Sequence, residues 1–99
     1  EAVAVDSVSF AEGTQAFMRG GCIACHTVRG TVAQGVIGPD LTHIGSRRRI
    51  AGGIRDNTPE NMERWIRDSR GVKPGSLMIV PELDDETVSL IVEYLQSLK

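Results

Sequence analysis

The sequence has few aromatic residues, few cysteines and no long apolar run. Aromatic residues make up only 4% of its 99 residues, a low share for a domain that fills its core with its own side chains. No stretch reaches the roughly 18 consecutive apolar residues of a membrane-spanning helix. The formal net charge is −2, and one short basic run, Arg47-Arg48-Arg49, does not create a basic face. These absences give no support to a membrane span or to nucleic-acid binding.

The chain opens without the basic segment and apolar block of a signal peptide. We therefore expect a mature product or a domain excised from a longer protein. The length suits a single domain over residues 1–99. A domain of this size buries a modest fraction of its surface and often needs an added staple, such as a bound group.

Helical spacing predicts an all-α domain with three helices. Each predicted start carries a capping side chain followed by a proline or an acidic residue in the first turn. Apolar residues then recur at three- and four-residue spacing, and Gly20-Gly21 ends the first helix. The predicted starts are Ser9 with Glu12, Thr58-Pro59-Glu60, and Asp84 or Asp85.

Between these helices the sequence predicts two long loops. The segment from Thr27 to Asn57 is rich in glycine, and only Leu41 to Ile44 suggests a helical turn. Gly71 to Pro81 is the second loop. A loop as long as the first is unusual in a small domain unless it wraps around a large object. Alternation typical of strands is absent apart from the ambiguous run Leu77 to Val80.

Cys22-Ile23-Ala24-Cys25-His26 is a Cys-x-x-Cys-His motif, which is typical of covalent attachment of haem c. The two thiols have the spacing at which each adds to one vinyl group of the same porphyrin. The imidazole of His26 then lies under the ring and can ligate the iron. The motif predicts one covalent haem c, attached at Cys22 and Cys25, with His26 as an axial ligand. It uses both of the cysteines in the chain.

Two other chemistries use a Cys-x-x-Cys pair. A thioredoxin-like redox pair occurs in a βαβ context, and no alternating strand pattern surrounds this motif. A structural zinc site needs four ligands, and only His43 is available besides the motif itself. Haem attachment is therefore favoured. Thioether formation takes place where exported apoproteins are handled, so we expect a compartment outside the cytoplasm.

The candidates for a second axial ligand are Met18, Met62, Met78 and His43. Met18 lies too close to Cys22 to reach the other face of the ring, and Met62 fits the apolar stripe of the second helix. Met78 lies in a loop that can present its thioether to iron, so we favour it over a role as a hydrophobic plug. A His/Met pair fills both axial positions and leaves outer-sphere electron transfer as the natural chemistry. The alternative is an open or labile distal site, as in a gas-binding or peroxidase-like protein.

Further side chains are expected to contact the haem. A ligating imidazole donates its other N–H to an acceptor, and the carbonyl of Pro39 is a candidate, with an ordinary turn proline as the alternative. Haem propionates need hydrogen-bond donors from the wrapping segment. The candidates are Arg47, Asn57 and Trp65. For Trp65, burial in the core is an alternative.

The chain resembles the class I monohaem cytochromes c over nearly its whole length. Gly13 and Phe17 in the first helix, and Ile91 and Tyr94 in the last, match the positions where the family's two helices cross. The resemblance implies the small all-α class I cytochrome c fold. Three segments resemble more specifically the cytochrome c domain of subunit II in caa3-type haem–copper oxidases. They are Gly38–Arg47, Trp65–Asp68 and Lys73–Ser76.

This resemblance implies redox partners and a location. The domain would accept electrons from a donor protein and pass them to the copper centre of a terminal oxidase. It would lie in the periplasm or on the outer face of a bacterial cytoplasmic membrane, soluble in itself or tethered to a membrane subunit. The sequence departs from the family at one place, because Ile79 and Val80 separate Met78 from Pro81. The family has proline directly after the methionine, so a different loop geometry is expected here.

An apolar docking surface is expected around the haem edge near Cys25. The chain has only two lysines, Lys73 and Lys99, so electron-transfer rates with a partner should depend weakly on ionic strength. The residues expected on this surface are Ala24, Val28, Val32, Val36 and Ile37.

Overall fold

The structure is a computed structural model that describes residues 7–22, 25–31, 33–35, 38–78, 80 and 82–99, with the backbone alone for residues 7–11. These residues form four helices, a 3₁₀ turn and one short hairpin. The helices are α1 (Ser7–Arg19), α2 (Pro59–Arg67), α3 (Ser69–Val72) and α4 (Asp85–Ser97). The 3₁₀ turn spans Ile44–Ser46, and strands β1 (Arg49–Ile50) and β2 (Arg55–Asp56) pair antiparallel. The predicted all-α class is confirmed.

Two of the three predicted helix starts are confirmed by their caps. Thr58 Oγ1 accepts a hydrogen bond from the Asn61 N–H at 3.1 Å, at the start of α2. Asp84 Oδ1 accepts from the Thr87 N–H at 2.9 Å, at the start of α4. The predicted start at Ser9 is wrong, because α1 already begins at Ser7. A Ser-x-x-Glu pattern is compatible with a position inside a first turn as well as with a cap.

Helices α1 and α4 pack closely at Gly13. A Cβ atom there would lie 2.5 Å from Tyr94 Cβ and 3.0 Å from Tyr94 Cγ, so only glycine permits this approach. One turn later Phe17 contacts Tyr94, with ring centroids 5.6 Å apart and ring planes at 54°. Tilted aromatic pairs of this kind are favourable. The helix crossing implied by the family resemblance is therefore present.

Helix α2 packs on α4 through a buried stripe. Met62 and Ile66, one turn apart, are its buried residues, and Trp65 beside them is half-buried. Gln96 of α4 donates from Nε2 to the Met62 sulfur at 3.6 Å. The core therefore continues from α1 through α4 to α2, and this frame positions the loops between the helices.

Helix α3 and the hairpin were not predicted. Asp68 caps α3 by accepting from the Gly71 N–H at 3.1 Å, so the predicted loop from Gly71 begins only after Val72. The hairpin turns at Ala51, Gly52 and Gly53, which have φ values of 56°, 70° and 92°. Its strands have two residues each, too few for a periodic pattern to be visible in a sequence.

Within the residues that the structure describes, none of the helices is both long enough and apolar enough to cross a membrane.

Candidate functional site

The Cys-x-x-Cys-His motif follows directly after α1. Gly21 has a φ of 78°, in the left-handed region that glycine adopts easily, and it turns the chain out of the helix. The N–H groups of Cys25 and His26 both donate to the Cys22 carbonyl, at 3.2 and 3.0 Å. This single turn brings both cysteines and the histidine together. Both thiols are free and partly exposed, and burial raises the pKa of the Cys22 thiol to about 11.

The imidazole of His26 is oriented by a backbone carbonyl. Its Nδ1 lies 2.8 Å from the Pro39 O. Because a carbonyl oxygen can only accept, Nδ1 carries the proton and Nε2 keeps its lone pair for a metal. The Pro39 carbonyl is the candidate acceptor that the sequence indicates, and in the structure that carbonyl lies within hydrogen-bond distance of His26 Nδ1.

Gly38 leaves the space that this imidazole occupies. A Cβ atom at Gly38 would lie 2.8 Å from His26 Nδ1 and 3.0 Å from Nε2. The Gly38 N–H also donates to the Cys25 carbonyl at 2.6 Å, which holds the strap of residues 38–41 against the motif. Sequence reasoning missed this role of Gly38, because only the folded chain brings it next to the ring.

A second turn follows the strap. Asp40 Oδ1 accepts from both the N–H and the Oγ1 of Thr42, at 2.8 and 2.5 Å. Thr42 is buried, and its Oγ1 accepts from the Arg29 N–H at 2.8 Å. These contacts fasten the strap to the loop that follows the motif.

This turn predicts a pH-dependent contribution to stability. Hydrogen bonds from the Thr42 side chain and backbone hold the pKa of the Asp40 carboxyl below its usual value. A lowered folded-state pKa stabilises the fold at pH values above the unfolded pKa, and the contribution is lost as pH falls through the folded pKa. Asp40→Asn should therefore be less stable than the parent protein at pH 7, and the gap should narrow below about pH 4. Urea unfolding across this range measures it, and a gap that stays constant would contradict the assignment.

Met78 lies in the loop after α3 and is half-buried. Its carbonyl accepts from Ser69 Oγ at 2.6 Å, and its N–H donates to Ser76 Oγ at 3.1 Å. The contacts of these serines with Met78 were not predicted from the sequence, because they depend on how the loop folds back on α3. Ile79 and Pro81, where the sequence departs from the family pattern, lie outside the described residues.

A cavity of about 480 Å³ opens between α2 and the start of α4. Its apolar wall is formed by Ile66, Val80, Leu83 and Val88, which belong to the core or pack against it. Charged residues line its rim, and Arg67 there donates to Glu63 at 2.9 Å and to Asp85 at 2.7 Å. One residue of this wall, Val80, lies two positions after Met78 in the sequence.

The three predicted propionate donors have different surroundings. Asn57 Nδ2 donates to the carbonyls of Ile44 and Arg47, both at 2.9 Å, and its Oδ1 accepts from Gln96 Nε2 at 2.8 Å. Arg47 is exposed and donates from Nη2 to the Asp40 carbonyl at 3.0 Å. Trp65 Nε1 has no acceptor among the described residues. A propionate could thus be reached by Arg47 or Trp65 directly, whereas Asn57 would first have to give up a carbonyl.

One expected docking residue is placed elsewhere. Val28 is 0% exposed and belongs to the core, so its assignment to an apolar docking surface is wrong. The N–H of Val28 donates to the Ala33 carbonyl, which turns the loop inward and buries the side chain. The other four residues proposed for that surface, Ala24, Val32, Val36 and Ile37, lie outside the described part of the chain.

The site fits a covalently attached haem. It supplies two free thiols at the attachment spacing and an imidazole whose Nε2 is available for iron. The zinc alternative lacks ligands, since the described residues contain no group of three or more His, Cys, Asp or Glu side chains that could hold a metal ion. The fold and the site define a small helical haem-binding domain.

Residues 10–99 match the family model described as Cytochrome c. The chain belongs to the cytochrome c family. The resemblance predicted from its motifs and the class I fold implied by it are therefore confirmed.

Three curated relatives are named cytochrome c oxidase subunit 2. The one from Alkalihalophilus pseudofirmus is 40% identical over 89 residues, which is 89% of this chain and 25% of the relative. The one from Bacillus sp. (strain PS3) is 38% identical over 90 residues, 86% of this chain and 25% of the relative. The one from Bacillus subtilis is 32% identical over 95 residues, 89% of this chain and 26% of the relative. The chain thus spans about a quarter of the length of these relatives. The similarity supports haem-based electron transfer.

Proposed function

We propose that this domain carries one electron on a single haem c attached at Cys22 and Cys25, with His26 and Met78 as the axial ligands. Bound haem supplies the one-electron couple. The observation that carries the proposal is the hydrogen bond from His26 Nδ1–H to the Pro39 carbonyl, next to the two free thiols. A fixed imidazole with Nε2 available is what an axial ligand needs.

The surroundings of the other candidate ligands support Met78. Met62 is buried in the core and accepts from Gln96. His43 Nε2 accepts from Arg29 Nη2 at 3.0 Å, and its Nδ1 donates to the Lys99 carbonyl at 2.7 Å. Ligation by His43 would break the contact with Arg29. Met78 carries no comparable commitment of its side chain in the described residues, and its backbone is held in place.

The proposed role of the protein is to bind, orient and shield. His26 is oriented by Pro39, Met78 is held in its loop by Ser69, and the apolar side chains beside α2 and α4 would shield the bound group. Arg47, Trp65 and Asn57 are the proposed donors to the propionates. If His26 and Met78 both ligate the iron, no position would remain on it for a substrate. The domain is therefore proposed as an electron carrier and not as a catalyst.

The relatives' name supports a place in an oxidase complex. We propose that the domain accepts electrons from a donor protein and delivers them to the copper centre of a terminal oxidase. Its location would be the periplasm or the outer face of a bacterial membrane. We propose that the docking surface around the haem edge is largely apolar, so the rate with a partner should change little with ionic strength.

The ferric absorption spectrum tests the ligation. The haem-attached protein should be low-spin and show the weak far-red iron–sulfur band, and Met78→Ala should abolish that band. Met18→Ala, at a 44% exposed position on α1, is the control and should retain it. A pyridine haemochrome assay of the denatured protein checks covalent attachment. High-spin iron or rapid carbon monoxide binding in the unsubstituted ferrous protein would instead support an open distal site.

A further inference from the structure

Serine hydroxyls hold the backbone of Met78 on both sides. Ser69 Oγ donates to the Met78 carbonyl at 2.6 Å, and the Met78 N–H donates to Ser76 Oγ at 3.1 Å. Both polar groups of the Met78 backbone are therefore engaged. Since the two bonds fix the peptide groups on either side of the Cα atom, they fix the direction in which the Met78 side chain leaves the chain.

Ser69 is itself a fixed point of the fold. It is buried and is the first residue of α3, which Asp68 caps through the Gly71 N–H. The Lys73 N–H donates to the Ser69 carbonyl at 2.9 Å, so the loop leaves α3 from the same residue to which it returns. Because Ser69 belongs to α3, its hydroxyl group is fixed relative to the helices and anchors the loop to them.

The exposure of Leu77 indicates that the two serine hydrogen bonds oppose a rotation of the loop that would bury Leu77 in place of Met78. Leu77 is 91% exposed, although it directly precedes the half-buried Met78. Apolar burial alone would favour the opposite arrangement, with leucine covered and the more polarizable methionine displaced. A rotation of the loop that exchanged the two side chains would carry the Met78 carbonyl and N–H away from the serines.

The residue after Met78 does not supply this constraint. It is Ile79, which lacks the ring by which a proline strongly restricts the backbone of the residue before it. The conformation at Met78 must therefore come from contacts, and the two serine hydroxyls are the contacts that the structure shows.

We propose that Ser69 is a positioning residue that selects Met78 over Leu77 as the side chain presented to the haem. The proposal rests on the proposed function, because it takes Met78 as the sixth ligand. Ser69 does not touch the iron and acts only through the Met78 backbone. Loss of its hydroxyl allows the loop to turn Leu77 inward, and leucine cannot ligate iron.

The test compares variants of the haem-attached protein by the far-red ferric band and by the rate of carbon monoxide binding to the ferrous form. Ser69→Ala should raise the fraction with Met78 dissociated by roughly 2- to 10-fold, the factor expected for the loss of one hydrogen bond. Ser69→Thr keeps the hydroxyl and should restore the band. The double variant Ser69→Ala/Leu77→Ser should also restore it, because it removes the apolar competitor.

Ser97→Ala is a matched control, since Ser97 Oγ also donates to a backbone carbonyl, that of Tyr94, at 2.6 Å. It should leave the band and the rate unchanged. If Ser69→Ala behaves like Ser97→Ala while Met78→Ala abolishes the band, the proposal for Ser69 is overturned and the ligation stands. If Met78→Ala leaves the band intact, the proposed function fails first. If Ser69→Ala does not fold, the single variant Leu77→Ser decides. Its rate of carbon monoxide binding should be lower than that of the unsubstituted protein. An unchanged rate would overturn the proposal.

Discussion

Replacing Phe17 by alanine should lower the free energy of unfolding by about 3–5 kcal/mol, the usual cost of truncating a buried phenylalanine. Phe17 is 1% exposed and forms the tilted ring pair with Tyr94. The truncation leaves a cavity where α1 meets α4, and Gly13 already brings these helices as close as the backbone allows. Denaturant unfolding of the haem-attached protein measures the change.

The adjacent Met18 provides the control for this prediction. It lies on the same helix and is 44% exposed, so Met18→Ala should change the free energy of unfolding by no more than about 0.5 kcal/mol. Equal losses in the two variants would mean that the α1–α4 contact does not carry the stability assigned to it.

Replacing Gly38 by alanine should disturb the axial histidine. The new Cβ atom would lie 2.8 Å from His26 Nδ1, well inside contact distance, so either the imidazole or the strap must move. Either movement breaks the hydrogen bond to the Pro39 carbonyl. We expect a cost of about 1–3 kcal/mol, as for other overpacked sites, together with a higher reduction potential or partial high-spin character, because an imidazole that loses its acceptor is a less basic ligand. Spectropotentiometry and denaturant unfolding measure the two effects.

Gly30→Asn is the control for Gly38→Ala, because it replaces a glycine at a position where the new side chain has space. No atom lies within 4 Å of a Cβ at Gly30, and asparagine tolerates its φ of 85°. This variant should keep the spectrum of the parent protein. Should Gly38→Ala also keep it, the close contact with the imidazole does not constrain the ligand.

The sequence reveals those parts of the site that local chemistry determines. The Cys22–His26 motif can be read because one porphyrin dictates the spacing of two thiols and an imidazole. Thr58 and Asp84 can be read because a cap acts within a single turn. Pro39 lies thirteen residues from His26 and was still found, because the histidine's need for an acceptor directed the search.

Other features depend on the tertiary arrangement of the chain. The contact of Ser69 with Met78 exists only after the loop folds back on α3, and a serine near a methionine carries no pattern. Val28 was expected on the surface because it lies close in sequence to Cys25, where the haem edge would be exposed, yet the loop turns it into the core. Asn57 was expected to donate to a propionate, but its amide N–H groups already donate to the carbonyls of Ile44 and Arg47, which lie in a separate turn.

The protonation of Cys22 bears on the order in which this protein is assembled. A thiol whose pKa is about 11 is almost entirely protonated at neutral pH, and the thiolate is the reactive form of cysteine. The burial that raises this pKa exists only once the core around the motif has formed, and Cys22 packs against that core. The Cys22 thiol is thus most reactive in a chain whose core has not yet closed around the motif, and folding before attachment would compete with maturation of the same chain.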